Sequence, residues 1–142
     1  MIRFWDSSGI VSLVVRQRHT RAAEALLADG AGIAVWWATP VECSSALARL
    51  MRERALDSKG GENAARRLQE ISDYWIEIEP STSLRELAQA MVTRYPIKAA
   101  DGLQLAAARI FADPAAPPID FVTFDERLGM AAQQEGFRAC GA

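Results

Sequence analysis

The chain has 142 residues, half of them hydrophobic, which is enough for one solid core and argues for a single domain over residues 1–142. Against 16 Lys and Arg stand 18 Asp and Glu, a formal net charge of −2, so no strongly basic surface announces a polyanionic partner. Two cysteines, Cys43 and Cys140, exclude a disulfide framework, and no apolar run approaches the ~18 residues of a membrane span.

Arg3 and Asp6 interrupt the N-terminus before an apolar signal segment can form, so the expected setting is a reducing cytoplasm with free thiols. The charge balance argues only weakly against nucleic acid. If several acids were committed to metal ions, the remaining charge would turn slightly positive.

Residues 2–5 form a short apolar run that reads as a buried strand and delivers Asp6 at its carboxyl end. Ser7 and Ser8 are cap-type residues ahead of a helix over 9–15. A second helix starts at Thr20 and closes at Asp29-Gly30. Residues 33–37 are the next strand. Thr39 caps a long helix with Pro40 in its first turn and Glu42 close behind. Lys59-Gly60-Gly61 reads as a break, after which 62–75 resume as a helix, the two pairing as a hairpin. A brief extended segment over 76–79 precedes Ser83-Leu84-Arg85-Glu86, a capping-box start for a helix reaching Tyr95.

The next helix, 96–111, carries the most informative pattern. Ile97, Leu105 and Ala108 fall within about 40° of Asp101 at helical spacing, so a carboxylate sits in an apolar, small-residue stripe. A stripe of this kind faces the protein, and Asp is almost never fully buried without compensation. A proline-rich loop (Asp113-Pro114, Pro117-Pro118) leads to a strand over 119–124. Asp125 opens the last helix, Gly136 ends it, and 137–140 add an edge strand. Strands alternating with helices predict a parallel sheet covered on both faces, an α/β fold.

In open α/β sheets, ligands bind beyond the carboxyl ends of the strands. Asp6, Glu42 and Asp125 each follow a strand, and Asp101 lies on an inward-facing helix. Four carboxylates on one sheet edge repel, and a hard divalent cation with oxygen ligands, Mg²⁺ or Mn²⁺, removes that penalty. His19 is the one histidine, so no His/Cys set for zinc exists. Each acid also has a purely structural role on offer. Asp6 and Asp125 suit helix caps, Glu42 suits the fourth position of a Thr39 capping box, and Asp101 suits a surface acid in a helix's first turn, favoured by the dipole.

Taken in order, Asp6-Ser7-Ser8, Pro40-Val41-Glu42, the stretch from Ala100-Asp101-Gly102 to Ala108, and Val122-Thr123-Phe124-Asp125-Glu126-Arg127-Leu128 resemble the motifs of PIN-domain ribonucleases, in particular the VapC-type toxins of toxin–antitoxin systems. The resemblance implies a three-layer α/β/α sandwich on a mostly parallel five-stranded sheet. It implies Asp6, Glu42, Asp101 and Asp125 as catalytic, metal-binding acids, with Ser8 and Thr123 supporting them. It also implies a Mg²⁺- or Mn²⁺-dependent endoribonuclease with an RNA substrate, a cognate antitoxin and a homodimeric state. The expected chemistry is in-line attack by a metal-activated water.

Three other readings fit parts of the pattern: a PIN-fold nuclease of ordinary RNA processing, a phosphotransfer protein using an aspartyl phosphate at Asp6, and a non-catalytic binding domain. Against the second, no Lys follows Lys98, although Thr123 remains available to contact a phosphate. Arg49, Arg52, Arg54, Arg66 and Arg67 offer contacts to an RNA backbone or simply a solvated helix face. Trp5 and Trp75 read as core, and of Trp36 and Trp37 one points outward.

Overall fold

Strands and helices alternate along residues 1–141, which the computed structural model describes. β1 (Ile2–Trp5), β2 (Gly32–Trp36), β3 (Ile76–Ile78), β4 (Asp120–Thr123) and β5 (Arg138–Gly141) form one five-stranded sheet in the order β3-β2-β1-β4-β5. Every neighbouring pair is parallel, with Ile2 beside Gly32, Phe4 beside Phe121, Ala34 beside Ile76 and Asp120 beside Arg138.

Successive strand residues point to opposite faces, and here both faces are buried. Trp5, Ile33, Val35 and Val122 pack against α1 (Ser7–Val14), α2 (Thr20–Leu27), α3 (Thr39–Arg52) and α4 (Ser58–Ser72). Phe4, Ala34, Trp36 and Phe121 pack against α5 (Thr82–Arg94), α6 (Ala99–Phe111) and α7 (Glu126–Gln134). The result is the expected three-layer α/β/α architecture. Trp5 and Trp75 are buried, Trp36 is buried and Trp37 is half exposed.

The chain steps from β1 to β2 to β3 in one direction, then crosses to β4 and continues to β5 in the other. Right-handed crossovers place the connecting helices on opposite faces for opposite directions of travel, as found here. The reversal lies between β1 and β4. At such a switch point the helices diverge, which leaves a crevice at the carboxyl ends of the two strands.

Several boundaries differ from the sequence reading, each for a local reason. The Gly60-Gly61 pair lies inside α4, not before it. Asp57 caps the helix by accepting from the Gly60 N–H at 2.7 Å. A Cβ on Gly61 would stand 2.6 Å from Met51 Sδ, so the glycine allows α3 and α4 to meet closely. The reversal between them falls at Arg54, with φ at 61°. The cap of α5 is Ser81, not Ser83. Helix α6 begins at Ala99, three residues beyond Pro96. The N-cap of α3 is Ala38, which leaves Thr39 inside the helix.

At the opposite end of the strands, the buried Arg3 donates to Asp120 at 2.8 Å and pairs with Asp29, while Arg138 also pairs with Asp120. Arg3 Nη1 further donates to the Leu26 carbonyl at 2.8 Å. This network ties β1, β4, β5 and the end of α2 together away from the switch point.

Candidate functional site

Asp6 leaves β1 at the switch point and is only 3% exposed. Its Oδ1 accepts from the Gly9 N–H at 3.0 Å, which caps α1, and from the Ser8 hydroxyl at 2.6 Å. Its Oδ2 accepts from the Thr123 hydroxyl at 2.7 Å. Ser8 Oγ in turn accepts the Phe124 N–H at 2.9 Å, and Thr123 Oγ1 accepts the Asp125 N–H at 3.1 Å. A hydroxyl has one proton to give, and each of these two gives it to Asp6 while accepting a backbone N–H. Burial pushes the Asp6 carboxyl up to about 6, against the pull of these donors, and the Asp101 charge adds to the rise. Oδ2 accepts a single hydrogen bond and so keeps a lone pair for a further partner.

Glu42 comes from the first turn of α3 and faces the same crevice. Its carboxylate accepts from the Ser7 hydroxyl at 2.9 Å and from Gln104 Nε2 at 3.3 Å to each oxygen. The Thr39 hydroxyl, expected to cap this helix, is fully buried and accepts from the same Gln104 amide at 3.2 Å. The Thr39 capping box therefore does not form. Gln104 Oε1 is buried without a partner among the described residues. Turning the amide would set that oxygen against the carboxylate, so the donor side must face Glu42. Burial raises the Glu42 pKa, Ser7 and Gln104 oppose the rise, and the Asp101 charge adds to it.

Asp101 sits in the first turn of α6, half-buried. Its pKa is raised by burial first and by the Asp125 charge second, with the Lys98 charge acting against both. Asp125 is exposed and caps α7, accepting from the Leu128 N–H at 3.0 Å. The cap roles offered by the sequence for Asp6 and Asp125 are thus both present, and neither removes the carboxylate from the crevice edge. Asp101 links the four electrostatically: its charge raises Asp6 and Glu42, and Asp125 raises it.

Every ion pair among the described residues uses Asp29, Asp120, Glu70 or Glu135, and none uses these four acids. No three His, Cys, Asp or Glu side chains among the described residues stand together as a ready ligand cluster. The donor set is all oxygen, and among the described residues no ion pair neutralises it. Those two properties fit a hard divalent ion such as Mg²⁺ or Mn²⁺.

Ser7 and Gln104 both hold Glu42, where the sequence reading took Ser7 only as a cap-type residue and gave Gln104 no role. Gln104 lies three residues after Asp101 and so shares its helix face, which was the available signal. Cys43 is fully buried packing beside the site, its thiol pushed up to about 12 by burial, with the Glu42 and Asp6 charges adding. Arg49, Arg52, Arg54, Arg66 and Arg67 are exposed on α3, the turn after it and α4. Among the described residues, no helix is long and apolar enough to cross a membrane.

Residues 3–133 match the model of one protein family, described as PIN domain. No curated protein sequence matches. Among solved structures, FitAcB from Neisseria gonorrhoeae aligns over 99% of this chain and 96% of that chain, at 18% identity and a TM-score of 0.62. PAE2754 from Pyrobaculum aerophilum aligns over 97% of this chain and 89% of that one, at 19% identity and a TM-score of 0.64. A toxin–antitoxin complex from Klebsiella pneumoniae aligns over 87% and 86%, at 18% identity and a TM-score of 0.56. At these identities the likeness speaks to the fold.

Proposed function

The chain belongs to the PIN domain family, whose members are generally nucleases, and we propose that it is a metal-dependent endoribonuclease serving as the toxin of a toxin–antitoxin pair. The observation that carries this reading is Asp101. Its charge acts on Asp6 and Glu42, Asp125 acts on it, and no ion pair relieves any of the four. A fold holding four such acids at its switch point gives up stability there, and cation binding is the use that recovers it.

In this reading Asp6, Asp101, Asp125 and Glu42 hold Mg²⁺ or Mn²⁺. When bound, such an ion supplies a nucleophile at neutral pH and offsets the charge that develops on a phosphodiester. Ser8 and Thr123 fix Asp6 in one rotamer and one hydrogen-bonding state. Ser7 and Gln104 do the same for Glu42. Rigid support of this kind sets where the carboxylates stand when substrate arrives.

The toxin role draws on the likeness to the solved toxin–antitoxin complex from Klebsiella pneumoniae. A carboxylate-rich crevice is also a natural receptor for a guanidinium, which engages a carboxylate bidentately. The partner is accordingly a small protein presenting an Arg to this cleft, and the active unit is a homodimer.

The test uses the purified chain and a mixed-sequence single-stranded RNA in Mg²⁺, Mn²⁺ and EDTA. Internal cleavage in either metal and none in EDTA is expected. The metals should also raise Tm: at a hundred times Kd, binding adds about 2.7 kcal/mol, or roughly 10 °C for a chain of this size. A chain that neither gains Tm nor cleaves in any metal contradicts the reading.

A further inference from the structure

Beside the acids lies a second feature that the chemistry above does not use. A groove of about 620 Å³ runs between α1 and α3, with Ser7, Ser8 and Glu42 at its acidic end and Arg49, His19 and Phe124 along its walls. The His19 and Phe124 rings lie parallel, with centroids 4.5 Å apart and planes 6° from each other. His19 occupies the N-cap position of α2, yet its side chain makes no capping hydrogen bond. The ring is turned onto Phe124 instead.

The segment that carries His19 is held in place. The Thr20 hydroxyl donates to the Val15 carbonyl at 3.1 Å and accepts the Gln17 N–H at 2.8 Å, and Thr20 itself is buried. Phe124 is fixed at the other side by its N–H bond to Ser8, the hydroxyl that also holds Asp6. The stacked pair is thus rigidly connected to the acidic end of the groove. Both rings remain partly exposed. Arg49 is exposed on the facing helix and enters no ion pair among the described residues.

We infer that this groove is a nucleotide subsite for single-stranded RNA, with the His19–Phe124 pair as its base platform and Arg49 as its phosphate contact. The ligand's identity rests on the nuclease reading; the site rests on the groove. Sequence-tolerant binding of single strands joins a flat aromatic face to a nearby cation, and both are present here. At 4.5 Å the rings already touch, so a base adds to the outer face of the stack and does not enter between them. Because the pair is anchored through Ser8 to Asp6, a base seated on it sets the register of the strand against the acids. A duplex, whose bases are stacked on each other, has no face to offer the platform.

The experiment compares wild type, His19→Ala, His19→Phe and Arg49→Gln on a fluorescein-labelled, mixed-sequence RNA ten-mer, single-stranded and as a duplex. Anisotropy in EDTA at low salt gives Kd without cleavage, and steady-state cleavage in Mn²⁺ separates KM from kcat. His19→Ala should raise Kd and KM for the single strand about tenfold with kcat nearly unchanged, and His19→Phe should restore both. Arg49→Gln should lower the slope of log K against log salt by about 0.7. The Mn²⁺-induced rise in Tm should be the same in all four proteins.

A His19→Ala protein with wild-type Kd and KM overturns the subsite while leaving the nuclease reading intact. So does an equal loss on single strand and duplex, or a lower Tm that His19→Phe does not repair in parallel with binding. Histidine-dependent binding of the single strand without any cleavage by wild type supports the subsite and removes the nuclease reading.

Discussion

The Ser8 and Thr123 hydroxyls and the Gly9 N–H lower the cost of burying Asp6 without removing it, because its carboxyl holds a proton up to about 6, against 3.8 in the open chain. Between those values the folded state binds more protons than the unfolded one, so the metal-free protein loses stability as pH rises through that window. Asp120, held low by Arg138 and Arg3, and Glu135, held low by the Tyr95 hydroxyl and then by Arg94 and Arg109, both despite burial, act in the opposite sense and in the acid range below it. Urea unfolding in EDTA should show Asp6→Asn gaining on wild type by on the order of 3 kcal/mol between pH 4 and 7, at 1.36 kcal/mol per pKa unit. A constant difference contradicts the burial argument. Glu42 is tested separately. Glu42→Gln removes a partly buried charge that Asp101 presses on, so Tm in EDTA should equal or exceed wild type. Cleavage should fall by about a hundredfold or more. Full activity in this well-folded variant removes Glu42 from the site. All four acids were legible as candidates because each follows a strand or breaks an apolar stripe. Ser7 and Gln104 were not, since a Ser at a helix start reads as a cap and Gln104 meets Glu42 across 62 residues of sequence.

Most helices were legible from caps and periodicity, and the errors fell where two signals competed within a few residues. Ser81 caps α5 while Ser83 lies inside its first turn, and the glycines behind Asp57 read as a break and hide its capping role. What one sequence does not display is how closely elements approach. Gly102 follows Asp101 in α6, and a Cβ there would stand 2.4 Å from Val92 Cγ1 and 3.3 Å from the Ala88 carbonyl on α5. The β-branched Val92 cannot swing aside freely, so α6 itself must move. Gly102→Ala gains about 1 kcal/mol of helix propensity and loses roughly 1–3 kcal/mol to overpacking. The expected result is a lower Tm together with a larger fractional loss of cleavage than of stability, because Asp101 moves with the helix. A more stable, fully active variant would show that the α5–α6 contact has slack.

At the scale of the whole molecule, the parallel class of the sheet followed from alternating strands and helices, whereas the order β3-β2-β1-β4-β5 had no local signal. That order is what places the reversal between β1 and β4, and with it Asp6 and Asp125 on the two sides of one crevice. Arginine networks bind the far end of the sheet and the acids stand unpaired at the near end, so the charges that stabilise the fold are separated from those proposed to act. The measurement that bears most directly on this account is Asp101→Asn, followed in parallel by thermal unfolding and RNA cleavage with and without Mn²⁺. Removing the charge that presses on Asp6 and Glu42 should raise Tm in EDTA, abolish most of the metal-induced rise and eliminate nearly all cleavage. A variant that unfolds at the wild-type temperature in EDTA, keeps its metal response and cleaves RNA at the wild-type rate contradicts the account.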